Sequence, residues 1–164
     1  MNNTYWRVAT FYDIVELSNL SVEYFQKEVI DILTPSPATL SYNLHKALAE
    51  QIDNSSHMIY VCVADEKIVA YGWIQSTGKT IYSLENVAEV RMVHIQMDLP
   101  VKIRITIIKE MIELFENYCR ILKIPVIITN TIRKDTRGFL ALHEKLGYTI
   151  RGSFAFKQIQ GEPK

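Results

Sequence analysis

Apolar positions in this chain change their spacing several times, and each change marks an element. Trp6–Tyr12 has the aromatic and β-branched residues of a strand. It runs into Asp13-Ile-Val-Glu16, the spacing at which an N-cap and its third residue satisfy each other's orphan amides, so a helix is predicted from Asp13. Leu17, Leu20 and Tyr24, with Val22, Phe25, Val29 and Ile32, continue it at three- and four-residue steps until Thr34-Pro35-Ser36-Pro37 breaks it. Ser36 and Pro37 suit the cap and first position of a second helix, which carries Leu40, Leu44, Ala47, Leu48 and Ile52 along one side and stops at Asp53-Asn54-Ser55-Ser56.

The middle of the chain is β. Met58–Ala64 and Ile68–Gln75, rich in Val, Ile, Tyr and Trp, flank a turn at Asp65-Glu66-Lys67 and predict an antiparallel hairpin. After a polar loop containing Gly78, Val87–Met97 predicts a third strand. From Leu99 to Leu122 the period becomes helical, with Ile103, Ile107, Met111, Leu114, Phe115, Tyr118 and Leu122 on one face. Ile124–Asn130 is a continuous apolar run of the kind buried on both faces, with Pro125 tolerable only at its start. Asp135 or Thr136 is positioned to cap another helix, whose stripe is Phe139, Leu142 and Leu146 and whose end is marked by Lys145 and Gly147. Tyr148–Arg151 and Phe154–Ile159 are predicted as two closing strands. A strand, a long helix and a strand in succession imply a right-handed parallel crossover, so Ile124–Asn130 is expected parallel to Val87–Met97 in a mixed α/β fold. The predicted core is Ile107, Met111, Leu114, Phe115, Ile127, Phe139, Leu142 and Leu146.

At 164 residues and 48% hydrophobic content, with no linker-like run and no repeat, the whole chain is expected to be one domain. Its 18 basic and 18 acidic residues cancel, which disfavours nucleic acid as a partner. Cys62 and Cys119 lack metal-ligand or disulfide spacing and are expected to be buried thiols in a reducing compartment. The stretch from Met1 to Val8 lacks the features of a signal peptide, and no window approaches the ~20 apolar residues of a membrane span. A cytoplasmic location without a membrane partner is therefore the expectation.

The element order and the segment Phe139-Leu-Ala-Leu-His-Glu-Lys-Leu-Gly-Tyr148 resemble the GNAT family of CoA-dependent N-acyltransferases, whose penultimate helix commonly ends in a phrase like L-Y-E-K-L-G-F. The resemblance is specific from roughly Glu89 to Phe156. It implies a GNAT-like mixed, splayed sheet of about 6–7 strands with about 4 helices. It also implies acetyl-CoA as co-substrate and a primary amine as acceptor. Carried onto this chain, the fourth and fifth strands are Val87–Met97 and Ile124–Asn130, and the backbone of Val93, His94 and Ile95 meets the pantetheine arm, with Asn130 close by at the end of the fifth strand.

The family's pyrophosphate loop, R/Q-x-x-G-x-G/A, corresponds to Asp98–Thr106, which has no glycine. Two readings stand for Lys102 and Arg104: cations that hold a diphosphate through side chains, or the solvated face of an amphipathic helix. His143 stands where the family phrase has its tyrosine, so the resemblance implies an acid that protonates the departing thiolate; a packed histidine is the alternative. Glu89 and His94 are both candidates for the base, or else surface residues. Arg133, Lys134 and Arg137 form a basic cluster near the expected 3′-phosphate, and Thr136 replaces an asparagine common in relatives. Tyr5, Trp6, Tyr12, Tyr24 and Phe25 are either acceptor-pocket residues or core. The expected activity is acetyl transfer from acetyl-CoA to a primary amine. The competing expectation is a non-catalytic GNAT-like binding or structural protein, of the phage-encoded kind, that has lost the cofactor loop. A homodimer is left open.

Overall fold

The computed structural model describes residues 4–28, 34–81, 83–131 and 137–152. Five strands form one sheet in sequence order: β1 (Thr4–Val8), β2 (His57–Ala64), β3 (Lys67–Thr80), β4 (Ser83–Ile95) and β5 (Val126–Ile128). The first four pair antiparallel, and β5 pairs parallel to β4. Four α-helices accompany them: α1 (Ile14–Glu28), α2 (Pro37–Asp53), α3 (Val101–Ile121) and α4 (Arg137–Lys145). The mixed α/β class, the parallel crossover and the helix count are as expected, and the described sheet has five strands where six or seven were expected.

The differences have local causes. The strand predicted over Trp6–Tyr12 ends at Val8, because the capping pair falls three residues before the expected one: Asp13 accepts the Thr10 amide at 2.7 Å and begins a turn of 3-10 helix at Phe11. The Asp13 carboxylate also takes both Arg7 guanidinium nitrogens at 2.7 Å. Burial works to raise its pKa, but these bonds from Arg7 and Thr10 outweigh burial and hold it below the usual range. At α2 the reading holds, since Ser36 Oγ accepts the Thr39 amide and Pro37 is the first helical residue. The β2–β3 turn is two residues, Asp65 and Glu66, both at positive φ, and Lys67 already belongs to β3.

The polar loop expected around Gly78 is not a loop. β3 and β4 run on as a hairpin to Thr80 and Ser83, with Gly78 at a register shift and φ of +74°. This extension has no apolar alternation because it buries neither face, so its strand character has no signature in the sequence. Tyr148–Arg151 carries no strand: β propensity yields a strand only where a partner ladder exists, and none is formed there among the described residues. Phe154–Ile159 and the caps Asp135 and Thr136 lie outside the described residues.

Two apolar layers sandwich the sheet. On one face α1 and α2 bury Leu17, Leu44 and Leu48 against Ile59, Val61, Tyr71 and Trp73. On the other, α3 buries Ile107, Met111, Phe115 and Cys119 against Cys62, Ala70, Ile74, Ala88 and Val90. Burial pushes the thiols of Cys62 and Cys119 up to about 11, as expected of packed, inert cysteines. Of the predicted core, Ile107, Met111 and Phe115 are fully buried, whereas Leu114, Ile127, Phe139, Leu142 and Leu146 are only half-buried. The run at 124–130 is not a strand buried on both sides. β5 is three residues long, with Val126 and Ile128 exposed, because it is the edge of the described sheet.

α3 packs directly over Gly72, where an added Cβ would lie 2.5 Å from Met111 Sδ and Phe115 Cζ. Met111 and Phe115 are both 1% exposed, so either must shift within a packed layer. Gly72→Ala is therefore expected to cost about 1–3 kcal/mol, read as a lower urea midpoint at unchanged m-value. A midpoint equal to that of the parent would show that α3 shifts freely.

Candidate active site

β4 carries a bulge that decides the site. Trp73 pairs with Met92 and Ile74 with Val90, so Arg91 has no partner across the strand pair and the side-chain alternation of β4 is displaced there. Glu89 and His94, five residues apart, consequently come to the same sheet face. β5 pairs with β4 only from Val87↔Val126 to Glu89↔Ile128, so from Val90 to Ile95 β4 is laddered to β3 alone. The two strands part immediately beyond Glu89.

A cavity of about 380 Å³ fills the gap. Its floor is β4 from Val90 to Ile95, one wall is α3 (Arg104, Ile108, Met111, Ile112, Phe115), and the other is the end of β5 with α4 (Asn130, Phe139, Leu142, His143). Phe25 and Tyr148 complete it. Of the residues singled out in the sequence, Val93, His94, Ile95, Arg104, Asn130 and His143 line this one cavity. Glu89 stands at the fork and joins it through a hydrogen bond donated by Asn130 Nδ2 to Glu89 Oε1 at 3.3 Å. Its other oxygen takes Arg91 Nη1 at 3.0 Å.

Lys102 and Arg137 are exposed and lie outside the cavity lining. Arg133 and Lys134 fall outside the described residues. Of the aromatic residues near α1, Phe25 lines the cavity, Trp6 donates to Glu110 on α3, and Tyr5 and Tyr12 are exposed; the Tyr24 side chain lies outside the described residues.

The individual geometries restrict the chemistry. His143 is the one buried residue of described α4, and its Nδ1 lies 2.8 Å from the Phe139 carbonyl oxygen. A carbonyl only accepts, so Nδ1 carries a proton, and Nε2 donates only when the ring is an imidazolium. The ring packs between Phe139 (centroids 3.9 Å apart) and Tyr148 (5.0 Å, edge-on). The Tyr148 amide closes the helix onto the His143 carbonyl, past Gly147 at φ +85°. Burial pushes the Tyr148 phenol up to about 12, so it keeps its proton at neutral pH. Sequence reasoning had assigned Tyr148 to a strand; its place beside His143 follows from the helix cap that Gly147 permits. His94 is 3% exposed and stacks on Tyr71, its partner across the strand pair, with centroids 5.6 Å apart.

The glycine-free stretch still forms a regular helix start. Pro100 is the N-cap, and the first turn of α3 has neither a side-chain cap nor an acidic residue. Its leading amides therefore face away from any intrahelical acceptor. Arg104, one turn in, places its Nη1 3.2 Å from Met97 Sδ, and its Nε is buried with no hydrogen-bond partner among the described residues.

The fold recurs in solved structures. A predicted acetyltransferase from Clostridium acetobutylicum, crystallised with acetyl-CoA, superposes at a TM-score of 0.73 and 15% identity over 95% of this chain and 96% of its own. Glucosamine-6-phosphate N-acetyltransferase from Arabidopsis thaliana matches at 0.70 and 15% identity over 97% and 100%. AAC(6')-Iy, in complex with a CoA bisubstrate analogue, matches at 0.75 and 9% identity over 98% and 100%. The chain has the GNAT acetyltransferase fold. No protein-family model matches the sequence, and no curated protein matches it by sequence. At these identities the likeness establishes the GNAT fold, and the chemistry rests on the residues themselves. Among the described residues, no helix is long and apolar enough to cross a membrane, and no group of side chains could hold a metal ion.

Proposed function

We propose that this chain is an N-acetyltransferase that moves an acetyl group from acetyl-CoA to a primary amine. The observation that carries the reading is the cavity opened where β4 leaves β5, with Glu89 at its fork and His143 on its wall. The group fits the residues present. An arm made of amides matches the strand edge left by the splay at Val93–Ile95, and Arg104 brings a buried guanidinium nitrogen that has no hydrogen-bond partner among the described residues. Arg104 and the uncapped start of α3 together take the place of the missing glycine amides toward a diphosphate. Lys102, on the solvent face, contributes at most long-range charge.

Acetyl-CoA supplies the activated acetyl group as a thioester. Glu89 takes the proton from the attacking amine, directly or through one water, because it is the charged carboxylate at the fork. His94, buried beside the same floor, shapes the acyl end. As imidazolium, His143 gives a proton from Nε2 to the departing sulfur, while Nδ1 stays anchored on the Phe139 carbonyl. The phenol of Tyr148 is the second proton donor within reach of that wall.

Acetyl-CoA at ~100 times its dissociation constant is expected to stabilise the protein by about 2.7 kcal/mol, a melting-point rise of roughly 5–11 °C for a domain of this size. Arg104→Ala is expected to remove most of that rise and Lys102→Ala little of it. An unmoved melting curve with millimolar acetyl-CoA and no heat in calorimetry would leave a GNAT fold with a binding or structural role instead.

A further inference from the structure

The opposite side of the sheet holds a second cavity, of about 360 Å³, between α2 and the strands. Arg91 and Met92 line both cavities, so the two adjoin at the bulge.

The polar groups of the second cavity are unevenly used. Glu50 is already saturated on the protein side: Oε2 accepts from His57 Nε2 at 3.0 Å and from Ser56 Oγ at 3.1 Å, and Lys46 Nζ lies 3.8 Å from Oε1. The direction of the first bond is fixed, because His57 Nδ1 accepts from Trp73 Nε1 at 2.9 Å and the ring proton of the neutral form must therefore sit on Nε2. Burial holds His57 below its usual pKa against the opposing pull of Glu50, which favours the neutral ring in this relay.

The donors, by contrast, are in surplus. Arg91 makes one side-chain bond among the described residues, through Nη1 to Glu89, and Lys46 has only its long contact to Glu50. Asn43 and Gln75, also on the lining, have side-chain N–H groups with no partner among the described residues.

We infer that this cavity binds an anionic group carried by the acceptor amine, with Arg91, Lys46 and Gln75 as its ligands. The inference rests on the acetyl-transfer reading for the word acceptor, though the chemistry of the cavity does not. The acceptor is a small amine with a carboxylate or phosphate at its far end. That group sits under α2, held by charge-assisted hydrogen bonds, and the amine passes Arg91 and Met92 to reach Glu89. An amine without the anion forgoes these charge-assisted contacts.

Calorimetry on the full chain, with and without saturating CoA, tests this with paired probes: putrescine against ornithine, propylamine against 4-aminobutyrate, and glucosamine against glucosamine 6-phosphate. In at least one pair the anionic member is expected to bind about 10- to 100-fold more tightly, the value of one hydrogen-bonded charge contact. Whether the carboxylate pairs or the phosphate pair shows the gain identifies the source of the anion. The gain should be lost in Arg91→Gln and reduced in Lys46→Gln and Gln75→Leu. If no anionic member is preferred, or the preference survives all three substitutions, the inference is overturned. A parallel acetyl-transfer assay separates the two readings. Anionic preference without transfer upholds the cavity and removes the enzyme; transfer to neutral amines alone does the reverse.

Discussion

Glu89→Gln is expected to lower kcat/KM for acetyl transfer by about 10²- to 10⁴-fold, the range over which a positioned proton acceptor acts. The amide keeps the shape of the side chain and one acceptor oxygen for Asn130, so the fork between β4 and β5 should remain as it is. What it loses is the charge that takes a proton and pairs with Arg91. Acetyl-CoA affinity should be unchanged, since Glu89 stands outside the lining of the cavity that takes the cofactor arm. A matching arm uses His143→Ala, expected to reduce turnover by about 10²-fold or more with little loss of CoA affinity. The two losses should be less than additive if both act in one proton-transfer sequence. Activity of Glu89→Gln within threefold of the parent would reduce Glu89 to a structural partner of Arg91 and Asn130 and move the base to His94. Unchanged turnover of His143→Ala would leave that ring as packing between Phe139 and Tyr148, with the Tyr148 phenol as the donor to test next.

Phe115→Ala carries the largest expected loss of stability, about 3–5 kcal/mol. The ring is 1% exposed, meets the backbone of β3 at Gly72, and lies 6.4 Å from the Tyr60 ring. It also forms part of the cavity wall. Its neighbours are poorly placed to collapse into the space, because Gly72 offers no side chain and Met111 already occupies the adjoining volume. Truncation should therefore enlarge the cavity rather than close it. Denaturant unfolding measures the loss, and acetyl-CoA affinity should fall with it because the wall recedes from the ligand. A loss below 1 kcal/mol would mean that α3 settles onto the sheet and that Gly72 does not set its distance.

Much of this was legible in the residues. The Ser36–Pro37 cap, the turn at Asp65 and Glu66, the periodicity of α2 and α3 and the strand–helix–strand crossover are local or nearly local signals. They follow from backbone geometry and one-sided burial, and they led directly to the element order and to a GNAT-like topology. The phrase ending in Gly147 and Tyr148 marked α4 and His143 for the same reason, since a left-handed cap leaves a glycine behind.

Tertiary structure alone decided the rest. The bulge at Arg91 leaves no trace in the hydrophobic pattern, yet it turns Glu89 and His94 to one face and sets Arg91 and Met92 on the lining of both cavities. Lys102 and Arg104 are indistinguishable as charges two residues apart. Helical rotation of about 100° per residue sends one to solvent and the other to the cavity wall. The Glu50–His57–Trp73 relay joins α2, β2 and β3, and no spacing along the chain announces it. Sequence determines which segments bury a face. Which side chains then meet depends on strand register and on where pairing stops, and those are settled only when the whole sheet is assembled.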